Sequence, residues 1–322
     1  MRAFVTGGSG FVGRNLIRQL KDQGHDVAAL TRSPKSAEAV RVLGAVPVEG
    51  DLDQQDAMAR GMAGCDVVFH AAAHVEDWGR LEDFMRVNVG GTERVLAAAR
   101  AAGVKRVVHV GTEAVLVDGT PLVRVDETRP RPRHPLGLYP LTKGLAEERV
   151  LAANGNGLET VVCRPRFIWG KGDTSLLPKF VEAVKRGQFR WFDGGHYLTS
   201  TCHVANVCEG LMAAAERGRP GEIYFLTDGE PVEFRGFMTA MLKTQGVDPG
   251  NGSIPRWLAY AAASTAEAVW RTFHLAGAPP VTRTAVLLVG EEVTVSDAKA
   301  RREIGYVGRM TREEGLRQME QP

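Results

Sequence analysis

Short apolar runs recur along the first half of the chain, at Ala3 to Val5, Val27 to Leu30, Ala45 to Val48, Val67 to His70, Arg106 to Val110 and Thr160 to Cys163. Between most of them lie segments with the apolar spacing of a helix face. The runs are continuous and Val-rich instead of alternating with polar residues. That predicts strands covered on both faces, hence a parallel sheet in a doubly wound α/β domain. Ligands of such sheets bind outside the carboxyl ends of the strands, where strand order reverses. After about Gly170 the alternation decays. Helices are expected at Leu176 to Lys185, Val204 to Glu216, Phe234 to Thr244 and Arg256 to His274, separated by Gly- and Pro-rich joints. The expected organisation is one domain over residues 1–170 and a smaller, mostly helical lobe over 171–322, with some strands and helices returning to the first.

Between the first strand and the first helix the chain reads TGGSGFVG, from Thr6 to Gly13. Gly7 permits a tight turn, Gly10 lets backbone amides approach a pyrophosphate, and Gly13 lets the helix pack closely, with its positive end toward the anion. A glycine triplet alone is weak; a strand before it and a helix and second strand after it supply the context of a dinucleotide-binding Rossmann turn.

Lys plus Arg number 40 against 38 Asp plus Glu, so no overall field draws nucleic acid or a membrane surface, and a small-molecule partner is expected. Cys65, Cys163, Cys202 and Cys208 show no CxxC spacing and read as reduced thiols, with no metal site. The first strand begins at about Arg2 and no uncharged apolar stretch reaches the roughly 18 residues of a membrane span, so a cytoplasmic protein with no transmembrane segment is expected.

Tyr139 and Lys143 lie four apart in YPLTK, at the start of an expected helix reaching about Ala153, and so share one face. An ammonium beside a phenol would lower a pKa that starts near 10 and make the tyrosine a usable proton donor or acceptor. Thr112 follows the strand Arg106 to Val110 directly. Its hydroxyl is placed either to polarise a substrate carbonyl or to cap a turn.

These segments together resemble an extended short-chain dehydrogenase/reductase of the NAD(P)-dependent epimerase/dehydratase superfamily, nearest its hydroxysteroid dehydrogenase-like and dihydroflavonol reductase-like branches. The carriers are TGGSGFVG, Gly50-Asp51-Leu52, FHAAAHV from Phe69, NVGGT from Asn88, GTEAV from Gly111, YPLTK, CRPRFIWG from Cys163 and CHVANV from Cys202. The resemblance implies that the catalytic Ser, Tyr and Lys fall on Thr112, Tyr139 and Lys143, with threonine keeping the hydroxyl. It also implies that Phe11 and Val12 lie at the pyrophosphate, Asp51 and Leu52 beside the adenine, Ala71, Ala72 and Ala73 along the ribose and nicotinamide, and Pro165 and Arg166 flanking the nicotinamide. Asn88 would sit near the cofactor or serve its helix. A homodimer is the family expectation.

Leu30-Thr31-Arg32-Ser33, at the end of the second strand, holds no carboxylate for ribose hydroxyls. Arg32, with Lys35 close behind, offers a guanidinium suited to a 2′-phosphate, which favours NADP (NADPH) over NAD. Trp78, Phe167, Trp169, Tyr197 and the nearby His74 are candidates to line an apolar substrate site, or else are core. Arg124, Arg129, Arg131 and Arg133 either recognise an acidic group or are solvated, and His203 is structural or substrate-lining. Trp257 to Trp270 is either a cap over an apolar pocket, a buried helix or an interfacial helix on lipid. The implied reaction interconverts a ketone and a secondary alcohol on a hydrophobic molecule, steroid-, flavonoid- or 3-oxoacyl-like. The alternatives are a nucleotide-sugar epimerase/dehydratase that retains NAD, or a non-catalytic NADP-sensing protein.

Overall fold

The structure, a computed structural model, describes residues 1–321. Its centre is a seven-stranded parallel sheet of β1 (Arg2–Thr6), β2 (Asp26–Thr31), β3 (Val46–Glu49), β4 (Val67–His70), β5 (Arg106–Val110), β6 (Glu159–Pro165) and β7 (Ile223–Leu226), in the order β7-β6-β5-β4-β1-β2-β3. Six of these strands are the apolar runs of the sequence. Strand order reverses between β1 and β4, where Thr6 pairs with His70. Side chains of each strand alternate between two cores, as the period of a strand requires: Ala3 and Val5 of β1 join one cluster and Phe4 the other.

Helices cover both faces. They are α1 (Phe11–Asp22), α2 (Pro34–Arg41), α3 (Gln55–Met62), α4 (Leu81–Phe84), which runs through a π-helical turn (Met85–Gly90) into α5 (Gly91–Ala101), α6 (Leu138–Ala152), α7 (Leu177–Lys185), α8 (Val204–Arg217), α9 (Phe234–Lys243), α10 (Arg256–Thr272), α11 (Arg283–Val289), α12 (Ala298–Ile304) and α13 (Arg312–Glu320). Leu16, Ile17 and Leu20 of α1 share a core with Val207 and Leu211 of α8, while Met58 of α3, Val95 of α5 and Val150 of α6 fill the other.

The turn from β1 into α1 is built by two close approaches. Gly7 sits at φ 71°, and a Cβ there would lie 2.7 Å from the Ala72 nitrogen. A Cβ on Gly13 would drive into the Gly7 carbonyl oxygen. Only glycine at both lets the helix start against the turn and the turn rest against the loop after β4.

The strand pairing runs across the division at residue 170. Chain beyond it returns to the first domain, with β7 on the edge of the main sheet beside β6 and α8 packed on α1. In the other direction, Leu122–Val125 leaves the first stretch to pair with Val293–Val295. The physical reason is that β6 and α1 each present an apolar face that only later chain can bury. The second lobe also holds more strand than its sequence suggested: a four-stranded sheet orders Val232–Glu233, Leu198–Thr199, Val293–Val295 and Leu122–Val125. Its strands run only two to four residues, too short to show a period.

Beneath α6, Arg164 of β6 and Glu147 form a buried two-pronged ion pair, Nε to Oε2 at 2.8 Å and Nη2 to Oε1 at 2.5 Å. Both are essentially inaccessible to water, so each charge depends on the other. Arg164→Met is expected to cost about 3–5 kcal/mol of stability in urea denaturation, because it strands a buried carboxylate. The double variant Glu147→Leu, Arg164→Met is expected to recover most of that loss, and equal loss in both would show the pair unimportant.

Candidate active site

The expected cofactor segments come together at the carboxyl edge of the sheet. The glycine-rich turn leaves β1, Thr31 ends β2 with its hydroxyl donating to the Val48 carbonyl at 3.2 Å, and Asp51 and Leu52 follow β3. Ala71, Ala72 and Ala73 follow β4, the Ala72 amide donating to the Thr6 hydroxyl at 3.2 Å, and Pro165 and Arg166 lie at the end of β6 and just beyond it. The start of α1 fits a pyrophosphate: Gly10 caps it without a side-chain bond and no acid lies in its first turn. The amides of Phe11, Val12 and Gly13 are therefore free for an anion. Arg32 is exposed beside Ser33, the capping residue of α2, and no ion-pair partner for it occurs among the described residues.

Thr112 caps the short 3-10 turn Glu113–Leu116 by accepting from the Ala114 amide at 3.2 Å. The turn-capping role is therefore real, and the same hydroxyl acts on the Tyr139 phenol in the direction that favours its ionised form. Thr112 donates its own proton to Glu113 Oε2 at 3.0 Å, so it must redirect that proton to polarise a carbonyl. Burial, and then the Glu113 charge, nevertheless hold the Tyr139 phenol well above its ordinary pKa. At neutral pH it is a protonated acid.

Lys143 departs from the expected pairing. Its ammonium donates to the Val110 carbonyl at 2.7 Å and lies 3.1 Å from His109 Nε2, and Glu113, not Lys143, is the charge that acts on the phenol. Burial brings the lysine down to about 8, opposed by Glu147. Burial, and secondarily Lys143, keeps His109 neutral far below its usual range, and the same causes bring His70 to about 3. His70 joins the cluster to the turn, with Nδ1 2.7 Å from the Thr6 hydroxyl and Nε2 2.9 Å from that of Thr92.

The Arg166 side chain is turned into the protein. A guanidinium buried at the end of a strand needs a carboxylate, and Arg166 finds Glu113 at 2.9 Å and the Leu288 carbonyl at 2.8 Å. Through Glu113 it supports Thr112 from behind. Glu113 was overlooked in the sequence, although it stands next to Thr112 in GTEAV and its burial is the signal only the fold supplies. Asn88 takes its structural alternative: its amide donates to the His74 carbonyl at 3.1 Å and the Thr142 hydroxyl at 3.0 Å, and its oxygen accepts from the His74 amide at 2.7 Å. It clamps the loop after β4 to the helix of Tyr139.

Two of the candidate substrate aromatics are core. Trp169 is fully buried with its indole donating to Asp228 at 2.7 Å, and Phe167 packs edge-on to Phe234 and Phe237. Large rings gain most by burial, and the second lobe uses these for its own centre. Tyr197 is half-buried, stacked on Phe234, with its hydroxyl donating to the Val289 carbonyl. His74, edge-on to Phe84, and Trp78 beneath Arg271 stay half-exposed on the loop after β4. The four arginines before Tyr139 do not form one patch: Arg124, Arg129 and Arg131 pair with Glu230, Asp118 and Glu148 respectively. His203 is structural, capping α8 by accepting from the Ala205 amide.

Comparison with known proteins agrees with this architecture. A 4-hydroxy-2-methyl-3-oxo-4-farnesyl-3,4-dihydroquinoline-1-oxide ketoreductase of Stigmatella aurantiaca is 55% identical over 98% of this chain and 95% of its own length. A 2-alkyl-3-oxoalkanoate reductase of Stenotrophomonas maltophilia is 36% identical over 99% of this chain and 98% of its own. Among solved structures, a dTDP-glucose 4,6-dehydratase of Streptomyces venezuelae with NAD bound superposes with a TM-score of 0.77 over 99% of this chain and 96% of that one; at 24% identity it shows the fold alone. Residues 4–256 match the model of one family of NAD(P)-dependent oxidoreductases, and the chain belongs to that family, the 3-beta hydroxysteroid dehydrogenase/isomerase family.

Proposed function

We propose that the protein is an NADPH-dependent reductase of a hydrophobic ketone, with Tyr139 as the proton donor. The placement of Thr112 just after β5 and of Tyr139 at the start of α6, on the edge that carries the glycine-rich turn, supports this reading. So do the ketone substrates named for its relatives in Stigmatella aurantiaca and Stenotrophomonas maltophilia.

The pyrophosphate is held by the amides at the start of α1, the adenine side by Asp51 and Leu52, and the 2′-phosphate by Arg32. A bound nicotinamide supplies the hydride to the carbonyl carbon. Thr112, once its proton turns from Glu113, holds the carbonyl oxygen, and Tyr139 delivers its proton to that oxygen as negative charge develops. Because burial and Glu113 keep the phenol protonated, the site starts in the state that reduction needs. Lys143, a cation at neutral pH, is the group assigned to the nicotinamide ribose. His74 and Trp78 are the candidate residues still positioned to meet an apolar substrate.

Tyr139→Phe is expected to lower the rate of NADPH consumption with an apolar ketone by about 10²–10⁴-fold while leaving cofactor affinity unchanged. A fully active variant would remove Tyr139 from the mechanism, and absence of net NADPH consumption by the native protein would point to a hydride-returning epimerase or dehydratase. Arg32→Glu is expected to weaken NADPH binding about tenfold or more relative to NADH, read by fluorescence titration; an unchanged ratio would leave Arg32 a solvated residue. Lys143 binds its proton less tightly in the fold than in the unfolded chain, so its contribution to stability rises between pH 8 and 10.5 and is flat below. Urea melts should therefore show the native protein gaining about 2 kcal/mol on Lys143→Met from pH 8 to pH 10, whereas parallel curves would place the lysine in water.

A further inference from the structure

Two adjacent strands of the main sheet, β4 and β5, each carry a histidine at or next to the carboxyl end, and His70 and His109 stand opposite each other in the register. On the strand period His109 falls on the face of Val107, among apolar residues of α5 and α6. It is 1% exposed, and its ring lies 5.1 Å, centroid to centroid, from that of His70. An aliphatic side chain would fill this place without burying ring nitrogens. What distinguishes a histidine there is what its nitrogens hold.

His70 is fully supplied. Thr92 donates its hydroxyl proton to the Asn88 carbonyl at 2.6 Å, so at 2.9 Å it accepts from Nε2–H of His70. His70 Nδ1 then accepts from the Thr6 hydroxyl at 2.7 Å, whose oxygen receives the Ala72 amide. Neither nitrogen is left for the neighbouring ring. Among the described residues the one hydrogen-bond partner of the His109 ring is the Lys143 ammonium, 3.1 Å from Nε2. An ammonium has protons to give and no lone pair. Nε2 therefore accepts, and the ring proton sits on Nδ1, where nothing receives it. A buried donor without an acceptor is destabilising. Packing gives no reason to keep one; holding a charge on the opposite nitrogen does.

Lys143 is itself 3% exposed, and its other bond is to the Val110 carbonyl at 2.7 Å. The charged groups near it are committed elsewhere. Glu147, one turn along α6, is clamped by Arg164 of β6, and Glu113 after β5 by Arg166. The buried residues of α5 and of the π-helical turn carry no charge. His70 is neutral and the Tyr139 phenol protonated. A carbonyl and an imidazole are thus the two acceptors that hold the ammonium. Without the imidazole, one acceptor remains in a buried place and the lysine binds its proton less tightly. Glutamine at 109 would keep it, because an amide oxygen accepts without a tautomer to choose.

We propose that His109 is the positioning residue of Lys143: its Nε2 lone pair, with the Val110 carbonyl, keeps the lysine protonated and fixed at the carboxyl end of β5, where it meets the hydroxyls of the cofactor ribose. The ribose step rests on the reductase reading; the anchoring does not. In the native fold Lys143 has its midpoint at about 8. NMR titration of the lysine Cε signal, assigned by its loss in Lys143→Met, is expected to place that midpoint about one pH unit lower in His109→Phe and no lower than native in His109→Gln. Ring-nitrogen spectra of the native protein at pH 6 are expected to show the His109 proton on Nδ1. A proton on Nε2, an unmoved midpoint in His109→Phe, or an equal fall in His109→Gln would each overturn the proposal. The tautomer is read on the native protein, so the proposal is decided even if His109→Phe does not fold. At pH 9 the Phe variant should need about tenfold more NADPH than the native protein for half-maximal turnover, and at pH 6 nearly the same. An unchanged requirement at pH 9 would overturn the ribose step. A native protein that consumes no NADPH would end the reductase reading and leave the spectra to decide the anchoring.

Discussion

A guanidinium and a carboxylate locked together inside the protein hold the site in shape. Arg166 and Glu113 are each 4% exposed and 2.9 Å apart, and neither charge is tolerable there without the other. The carboxylate's second oxygen accepts the Thr112 proton, while the guanidinium reaches the Leu288 carbonyl and the Thr199 hydroxyl of the second lobe. One ion pair therefore joins the end of β6, the turn after β5, the small sheet and α11. Burial first, and Glu113 second, raise the Tyr139 phenol, so the carboxylate that orients the threonine also favours the protonated tyrosine. Structure and acid–base poise have a common source.

A second buried network lies beneath the first. Lys143 is drawn down onto the Val110 carbonyl and a neutral His109, whose other ring nitrogen has no partner. Neighbouring His70 lies between threonine hydroxyls, one of them Thr6 at the end of β1. Through these contacts the lysine is coupled to the end of β1, where the glycine-rich turn begins. A buried ammonium with one carbonyl and one imidazole is undersupplied with acceptors, which leaves it available for hydroxyl groups brought into the crevice.

The two halves of the chain were not equally legible. Unbroken apolar runs announce buried parallel strands because burial on both faces removes any need for alternation, and β1 to β6 appear where those runs lie. The helices from α7 to α10 were also readable, since an apolar stripe survives without knowledge of what it packs on. Strand β7 and the strands around Thr199 and Val293 escaped notice. They are short, and their partners are distant in sequence. Which segment beyond residue 170 returns to cover β6 or α1 was not legible for the same reason: it is a property of assembled faces, not of local pattern.

The sequence by itself determined the class of chemistry. Glycines at 7 and 13, a hydroxyl after β5 and the Tyr139–Lys143 spacing are local requirements of a turn, a strand end and a helix face, and local requirements are written in neighbouring residues. Only the tertiary structure decided which charges those groups feel. It turned Lys143 toward His109, spent Arg166 on Glu113, buried Trp169 in the second lobe and left Trp257 and Phe273 facing out. Each of these outcomes depends on a long-range contact or on its absence, and burial multiplies the energy of a charge or an aromatic ring in a way no spacing along the chain reveals.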